Sequence, residues 1–260
     1  MKILFMGRKE SAAQVLEWSI NNGHEIVGVL TDNHLVGSKT TEIAKKYSIP
    51  IYTLEEVYLK IEKNEIDFDL GVSFVYWRIL KEPLISFPKY GLINFHPAPL
   101  PDYKGTGGYN MAILESLSKW AVSVHYVDAG IDTGGIIDKF EFSIDPEEET
   151  VITLEEKSQD FMISLYKKTI RAIDSKGKLS TTPNVGGRYI KRSEMEAMKK
   201  ILPEDDINKK IRAFWFPPYT GAYIEINDEK FTLINQKILN SLVKPHQTNL
   251  IFSHKGKSEK

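Results

Sequence analysis

The chain has 260 residues, of which 42% are hydrophobic and 27% charged, with a formal net charge of -1 and no cysteine. Such a chain is long enough to bury its own core, as one large domain or one domain with a small appendage. The composition excludes disulfides, thiolate metal sites and cysteine nucleophiles, and it lacks the basic excess of a nucleic-acid binder. No apolar run approaches the length of a spanning helix, and the run at the start is too short for a signal-peptide core, so a cytoplasmic location without membrane contact is expected.

In chain order, the apolar run Ile3–Met6 before Gly7 reads as a buried strand and a tight turn. Residues 10–22 carry Ala13, Leu16, Trp18 and Ile20 ahead of Asn22-Gly23, which suits a helix with a glycine stop. Glu25–Leu30 reads as a second strand, Thr40–Tyr47 and Leu54–Lys63 as helices, and Phe68–Phe74 and Gly91–Phe95 as further strands. Strands alternating with helices predict an α/β fold: a Rossmann-like, mostly parallel sheet with helices on both faces. Val151–Ile173 has apolar residues three and four apart and predicts a long amphipathic helix. The Gly-, Lys-, Ser- and Thr-rich segment Ser175–Arg188 reads as a linker or surface turn. Ile207–Ala213 suits a short helix, and Ala222–Ile226 with Lys230–Ile234 alternate around Asn227-Asp228 as a β-hairpin. These elements divide the chain into an α/β domain over 1–175, a small C-terminal region with helix and hairpin over 176–240, and a flexible tail over 241–260.

The turn after the first strand is Gly7-Arg8-Lys9-Glu10-Ser11-Ala12, with a single glycine. The Gly-x-Gly-x-x-Gly fingerprint is absent, so a nicotinamide dinucleotide is not implied. Arg8 and Lys9 beside a helix start suit an anionic ligand, or equally a solvated pair of charges.

The segment Gly91-Leu-Ile-Asn94-Phe-His96-Pro carries the chemistry. Residues two apart on a strand share a face, so Asn94 and His96 project together at the carboxyl end of the strand, where open α/β sheets bind ligands. Pro97, Pro99 and Pro101 then hold the following loop extended. An Asn amide can donate to a developing oxyanion and a His can move a proton near neutral pH, a pairing that fits acyl transfer without a serine nucleophile. A structural role for the pair remains open on this evidence. A second stretch, Trp120 to Ile137, runs a strand into a turn containing Asp128, Gly130, Asp132 and Gly134. A carboxylate there can orient an imidazole, or can simply cap its own loop. His96, His125 and Asp132 are also of metal-ligating type, but no tight ligand spacing appears and no metal is expected.

Asn94-x-His96-Pro-x-x-Leu100-Pro101-x-Tyr103-Lys104-Gly105, followed by Asp128-x-Gly130-x-Asp132-Thr133-Gly134, resembles the formyltransferases that use N10-formyltetrahydrofolate. The run from Ala98 to Asn110 is most similar to the dTDP-amino-sugar N-formyltransferases, which serve O-antigen and other surface polysaccharides. The resemblance implies His96 as acid/base, Asn94 as oxyanion donor and Asp132 as the group that orients His96. It implies folate contacts at Arg78, Ile79, Leu80, Thr106 and the turn Asp128, Ala129, Gly130, Ile131 and Asp132. A dTDP-linked 3- or 4-amino sugar would need cations and aromatic surface, for which Arg8, Lys9, Lys104, Tyr103, Trp215 and Tyr219 are candidates. The aromatic run Phe214–Tyr219 also suits a homodimer interface through the C-terminal region. Two alternatives stand beside this reading: a methionyl-tRNA formyltransferase, which shares the motif, and a non-catalytic nucleotide-sugar-binding homologue.

Overall fold

The computed structural model describes residues 1–32 and 37–242. Its strands are β1 (Lys2–Gly7), β2 (Glu25–Leu30), β3 (Leu70–Phe74), β4 (Leu92–His96), the short β5 (Tyr103–Gly105), β6 (Lys119–Tyr126), β7 (Ile136–Ser143), β8 (Arg188–Ile190), β9 (Tyr223–Ile226) and β10 (Glu229–Thr232). Its helices are α1 (Lys9–Asn21), α2 (Lys39–Lys46), α3 (Leu54–Glu62), α4 (Gly108–Leu114), α5 (Val151–Lys176), α6 (Arg192–Ala197), α7 (Ile207–Phe214) and α8 (Gln236–Ser241). Apart from the expected tail, most of which lies outside the described residues, each element read from the sequence is present within a few residues of its expected bounds.

The six-stranded sheet has the order β2-β1-β3-β4-β6-β7. The pairs β1–β2, β1–β3 and β3–β4 are parallel, and β6 runs antiparallel to both β4 and β7. Parallel strands are covered on both faces and so are apolar along their whole length. Accordingly, all five residues of β3 are buried. One face of the sheet packs Ile3, Phe5, Val72 and Phe74 against Leu16 of α1 and Leu165 and Tyr166 of α5. The other packs Leu4 and Met6 against Val57 and Ile61 of α3. Helix α5 starts at a reciprocal cap between Thr150 and Thr153. A third cluster, with Ile113 of α4, Val151 of α5, Ile211 and Phe214 of α7, and Ala222, ties the C-terminal region to the sheet domain.

The segment read as a linker is threaded back onto the sheet domain. Thr182 exchanges both backbone hydrogen bonds with Ile136, at 2.8 and 3.0 Å. β8 adds in parallel to β5, pairing Arg188 with Tyr103 and Ile190 with Gly105. Composition marked this segment as polar and glycine-rich, but one of its glycines, Gly187, serves close packing. A Cβ on Gly187 would lie 1.8 Å from the Pro101 carbonyl oxygen, and its φ is +72°.

Candidate active site

Three neighbouring strands bring a row of polar side chains into lateral register: Ser73 of β3 lies opposite Asn94 of β4, and Asn94 opposite His125 of β6. Ser73 Oγ donates to Asn94 Oδ1 at 2.7 Å, and Asn94 Nδ2 lies 3.1 Å from His125 Nε2. Two residues along β4, His96 Nε2 is 2.7 Å from the Tyr103 carbonyl oxygen. A carbonyl only accepts, so the proton of the neutral His96 ring sits on Nε2 and the lone pair on Nδ1. Nδ1 faces Asp132 Oδ2 at 3.6 Å. The other carboxylate oxygen of Asp132 is 3.4 Å from Asn94 Nδ2 and 3.5 Å from His125 Nε2.

Asp132 reaches this position from the turn between β6 and β7, with a left-handed φ of +53° that non-glycine residues rarely adopt. Two contacts hold it there. The Gly105 N–H donates to its Oδ2 at 3.0 Å, and Asn184 Nδ2 donates to its backbone carbonyl at 2.9 Å and to that of Gly134 at 2.8 Å. Asn184 belongs to the segment read as a linker.

Burial pushes His96 below its ordinary pKa, and the Asp132 carboxylate and Tyr103 carbonyl offset part of that. The ring is therefore a neutral base at physiological pH. Burial opposes ionisation of Asp132 as well, but the His96 and His125 rings in their protonated forms and the Gly105 N–H outweigh it and hold the carboxyl at about 2. The site thus combines a fixed negative charge, a neutral imidazole with its lone pair aimed at that charge, and an amide donor beside both.

These groups line a cavity of about 690 Å³. Its lining includes Tyr76, Trp77, Arg78, Ile79, Leu80 and Val127, with Gly130 and Ile131 of the β6–β7 turn. Trp77 and Ile79 are exposed. The Arg8 guanidinium lies 5.6 Å from the Trp77 ring centroid, its Nε donating to the Val75 carbonyl at 3.1 Å. Arg78 turns its guanidinium to Glu55, at 2.5 and 3.1 Å. The lining also includes Lys9, Tyr109, Asn110, Glu155, Arg192, Lys199, Phe216 and Tyr219. Lys9 pairs with Glu155 and lies 5.8 Å from the Phe216 ring centroid, and Phe216 stacks on Tyr219 at 5.9 Å. Thr106 also lines the cavity.

Several expected contacts fall elsewhere. Lys104 is buried and donates to the Gly186 carbonyl at 2.7 Å, so it anchors the returning segment instead of facing the cavity. Tyr103 contributes its carbonyl to His96, but its hydroxyl turns away to Glu115 at 2.5 Å. Trp215 packs beside the third core cluster. Asp128 caps its own turn, accepting from the Gly130 N–H at 3.0 Å and the Thr133 hydroxyl at 2.5 Å, and neither it nor Ala129 lines the cavity. Conversely, sequence reasoning passed over Ser73, Asn184, Glu155, Arg192 and Lys199, and considered His125 only as a metal ligand. The available signal for Ser73 and His125 was a polar residue inside an otherwise apolar strand.

An α/β sheet with an amide, an imidazole and a carboxylate converging at the end of β4 defines a group-transfer site. The chain belongs to the formyl transferase family, which it matches over residues 1–170, and it is a formyltransferase. It is 30% identical over 259 residues to the methionyl-tRNA formyltransferase of Rickettsia africae, covering 93% of this chain and 82% of that protein. It is 33% identical over 186 residues to that of Alkaliphilus oremlandii, covering 67% of this chain and 60% of the relative. Among solved structures, WlaRD, a sugar 3N-formyltransferase crystallised with dTDP and 5-N-formyl-THF, is 28% identical with a TM-score of 0.72, covering 89% of this chain and 85% of that one. An N-formyltransferase from Helicobacter canadensis, in complex with folinic acid and dTDP-3-aminofucose, is 27% identical with a TM-score of 0.72 over 89% and 86%.

Proposed function

We propose that this formyltransferase moves a formyl group from N10-formyltetrahydrofolate to the amine of a dTDP-linked 3- or 4-amino-dideoxy sugar. The observation that carries this reading is a single cavity lined by the His96 site, by an apolar group of side chains, and by cations with stacked aromatic rings. Trp77, Ile79, Leu80 and Val127 suit the flat rings of a folate, which supplies the formyl group. Lys9, Arg192 and Lys199 suit a diphosphate, and Phe216 with Tyr219 suits a pyrimidine base. The two solved relatives that carry dTDP or a dTDP-amino sugar support the same assignment.

The roles of the residues follow from their geometry. Asn94 donates an N–H to the formyl oxygen as negative charge develops on it. His96 accepts the proton given up by the attacking amine at Nδ1, since its Nε2 is held by the Tyr103 carbonyl. It then returns that proton to the leaving nitrogen, so the new C–N bond forms and the old one breaks with no net charge left behind. Asp132 stabilises the transient imidazolium across 3.6 Å. One oxyanion donor is worth roughly 10²–10³ in rate, and general acid–base catalysis roughly 10²–10⁴.

The second reading, methionyl-tRNA as acceptor, is favoured by the names of the sequence relatives. The formal net charge of -1 argues against it, because a tRNA ligand calls for a basic surface. Turnover with N10-formyltetrahydrofolate and parallel arms of dTDP- and UDP-linked amino sugars and methionyl-tRNA separates the two. Formylation of a dTDP-amino sugar is expected, and formylation of tRNA alone would overturn the proposal. Ile226, Phe231, Leu239 and Leu242 expose apolar surface on the C-terminal region, which supports a homodimer through it. The reading also carries a cytoplasmic setting and a role in surface-polysaccharide synthesis.

A further inference from the structure

The Asn94 amide can sit in either of two orientations, and only one presents a hydrogen to an oxyanion. Ser73 does not decide between them, because a hydroxyl can donate to Oδ1 or accept from Nδ2 with equal ease. His125 does decide. Its Nδ1 lies 2.7 Å from the Tyr126 carbonyl oxygen, which can only accept, so in the neutral ring the hydrogen is on Nδ1 and Nε2, 3.5 Å from Asp132 Oδ1, presents a lone pair. Asn94 must therefore turn its NH2 toward His125, at 3.1 Å. In the flipped orientation the amide oxygen would face both that lone pair and the Asp132 carboxylate, whose Oδ1 is 3.4 Å from the same Asn94 atom. With the amide set this way, one Nδ2 hydrogen is committed to His125. The second lies on the long contact to Asp132 and is the one an incoming oxygen can take over.

We propose that His125, seconded by Ser73, is a positioning residue for formyl transfer: the Tyr126 carbonyl fixes its tautomer, and the tautomer fixes the Asn94 amide in its donating orientation. Ser73 completes the lock by donating to Oδ1 at 2.7 Å from the other side. Both side chains are nearly inaccessible, at 2% and 4% relative exposure, so they act through Asn94. The inference rests on the proposed oxyanion role of Asn94.

The test is a double-mutant cycle read as kcat and KM separately, using whichever acceptor the wild type formylates. His125→Phe removes the acceptor and is expected to lower kcat about 10- to 100-fold, up to but not beyond the roughly 10²–10³ of losing a single oxyanion donor outright, while leaving both KM values near wild type. His125→Gln, whose side-chain oxygen can accept the same N–H, is expected to recover most of that loss. In an Asn94→Ala background, His125→Phe should cost nothing further, since residues acting as a unit are not additive. An equal loss in both His125 variants, or a full additional loss in the Asn94→Ala background, would overturn the inference. Should His125→Phe not fold, His125→Lys, which presents only donors, against His125→Gln provides the same comparison, with Gln expected to rescue. Near wild-type turnover in Asn94→Ala alone would instead sink the oxyanion role itself, so the two failures are distinguishable.

Discussion

Asp132 Oδ2 lies 3.6 Å from His96 Nδ1 and accepts from the Gly105 N–H at 3.0 Å, which ties the base on β4 to both loops that close over it. The carboxylate raises the pKa of His96, while burial lowers it further than the carboxylate can restore. The acidic limb of kcat/KM is therefore expected below the ordinary histidine value of about 6.5. Asp132→Asn should move that limb to still lower pH while lowering the plateau. A limb that moves up in the variant would contradict the assignment.

The same pair makes a prediction for stability. Asp132 titrates at about 2 in the folded protein against a usual 3.8. Between those values the unfolded chain binds the proton and the folded one does not, so stability falls as pH falls through this window. The contribution is about 2 kcal/mol, fully present above pH 4. Chemical denaturation of Asp132→Asn should show a shallower decline than wild type between pH 4 and 2, and parallel curves would argue against it.

Asn184 holds the carbonyls on both sides of the strained Asp132 turn. Asn184→Ala should cost about 1 kcal/mol for each lost hydrogen bond. Its larger effect should be on kcat, because Asp132 can then relax from its left-handed backbone. A variant with reduced thermal stability and unchanged kcat would make Asn184 merely structural.

On the proposed function, Lys9 and Lys199 line the acceptor's part of the cavity, and their variants should separate acceptor binding from donor binding. Alanine at either position is expected to raise KM for the nucleotide sugar by about tenfold or less, the scale of a single charge-assisted hydrogen bond. KM for the folate should stay unchanged, and steady-state kinetics with each substrate varied in turn checks this. A matching rise in the folate KM would move these cations out of the acceptor side.

How much of this was legible beforehand follows from which forces are local. The spacing of Asn94 and His96 gave their shared face, because alternation along one strand is a local property. The parallel core was legible from the buried run of β3, and the hairpin from Asn227-Asp228. Asp132 came only from motif resemblance. Ser73 and His125 were hidden because their register with Asn94 spans three strands and no sequence separation encodes it. Segment 175–188, read as a linker or surface turn, pairs back onto the sheet domain through Thr182 and Arg188, a long-range contact that composition does not encode, with Gly187 packed under Pro101. Lys104 beside the motif suggested a ligand contact, but its stem runs inward to the Gly186 carbonyl.

The most direct test of the account is the single-turnover rate of His96→Asn, measured alongside its unfolding curve and folate affinity. The account predicts a folded protein that binds the folate and transfers the formyl group roughly 10²–10⁴ times more slowly. A folded variant that transfers at close to the wild-type rate would contradict it.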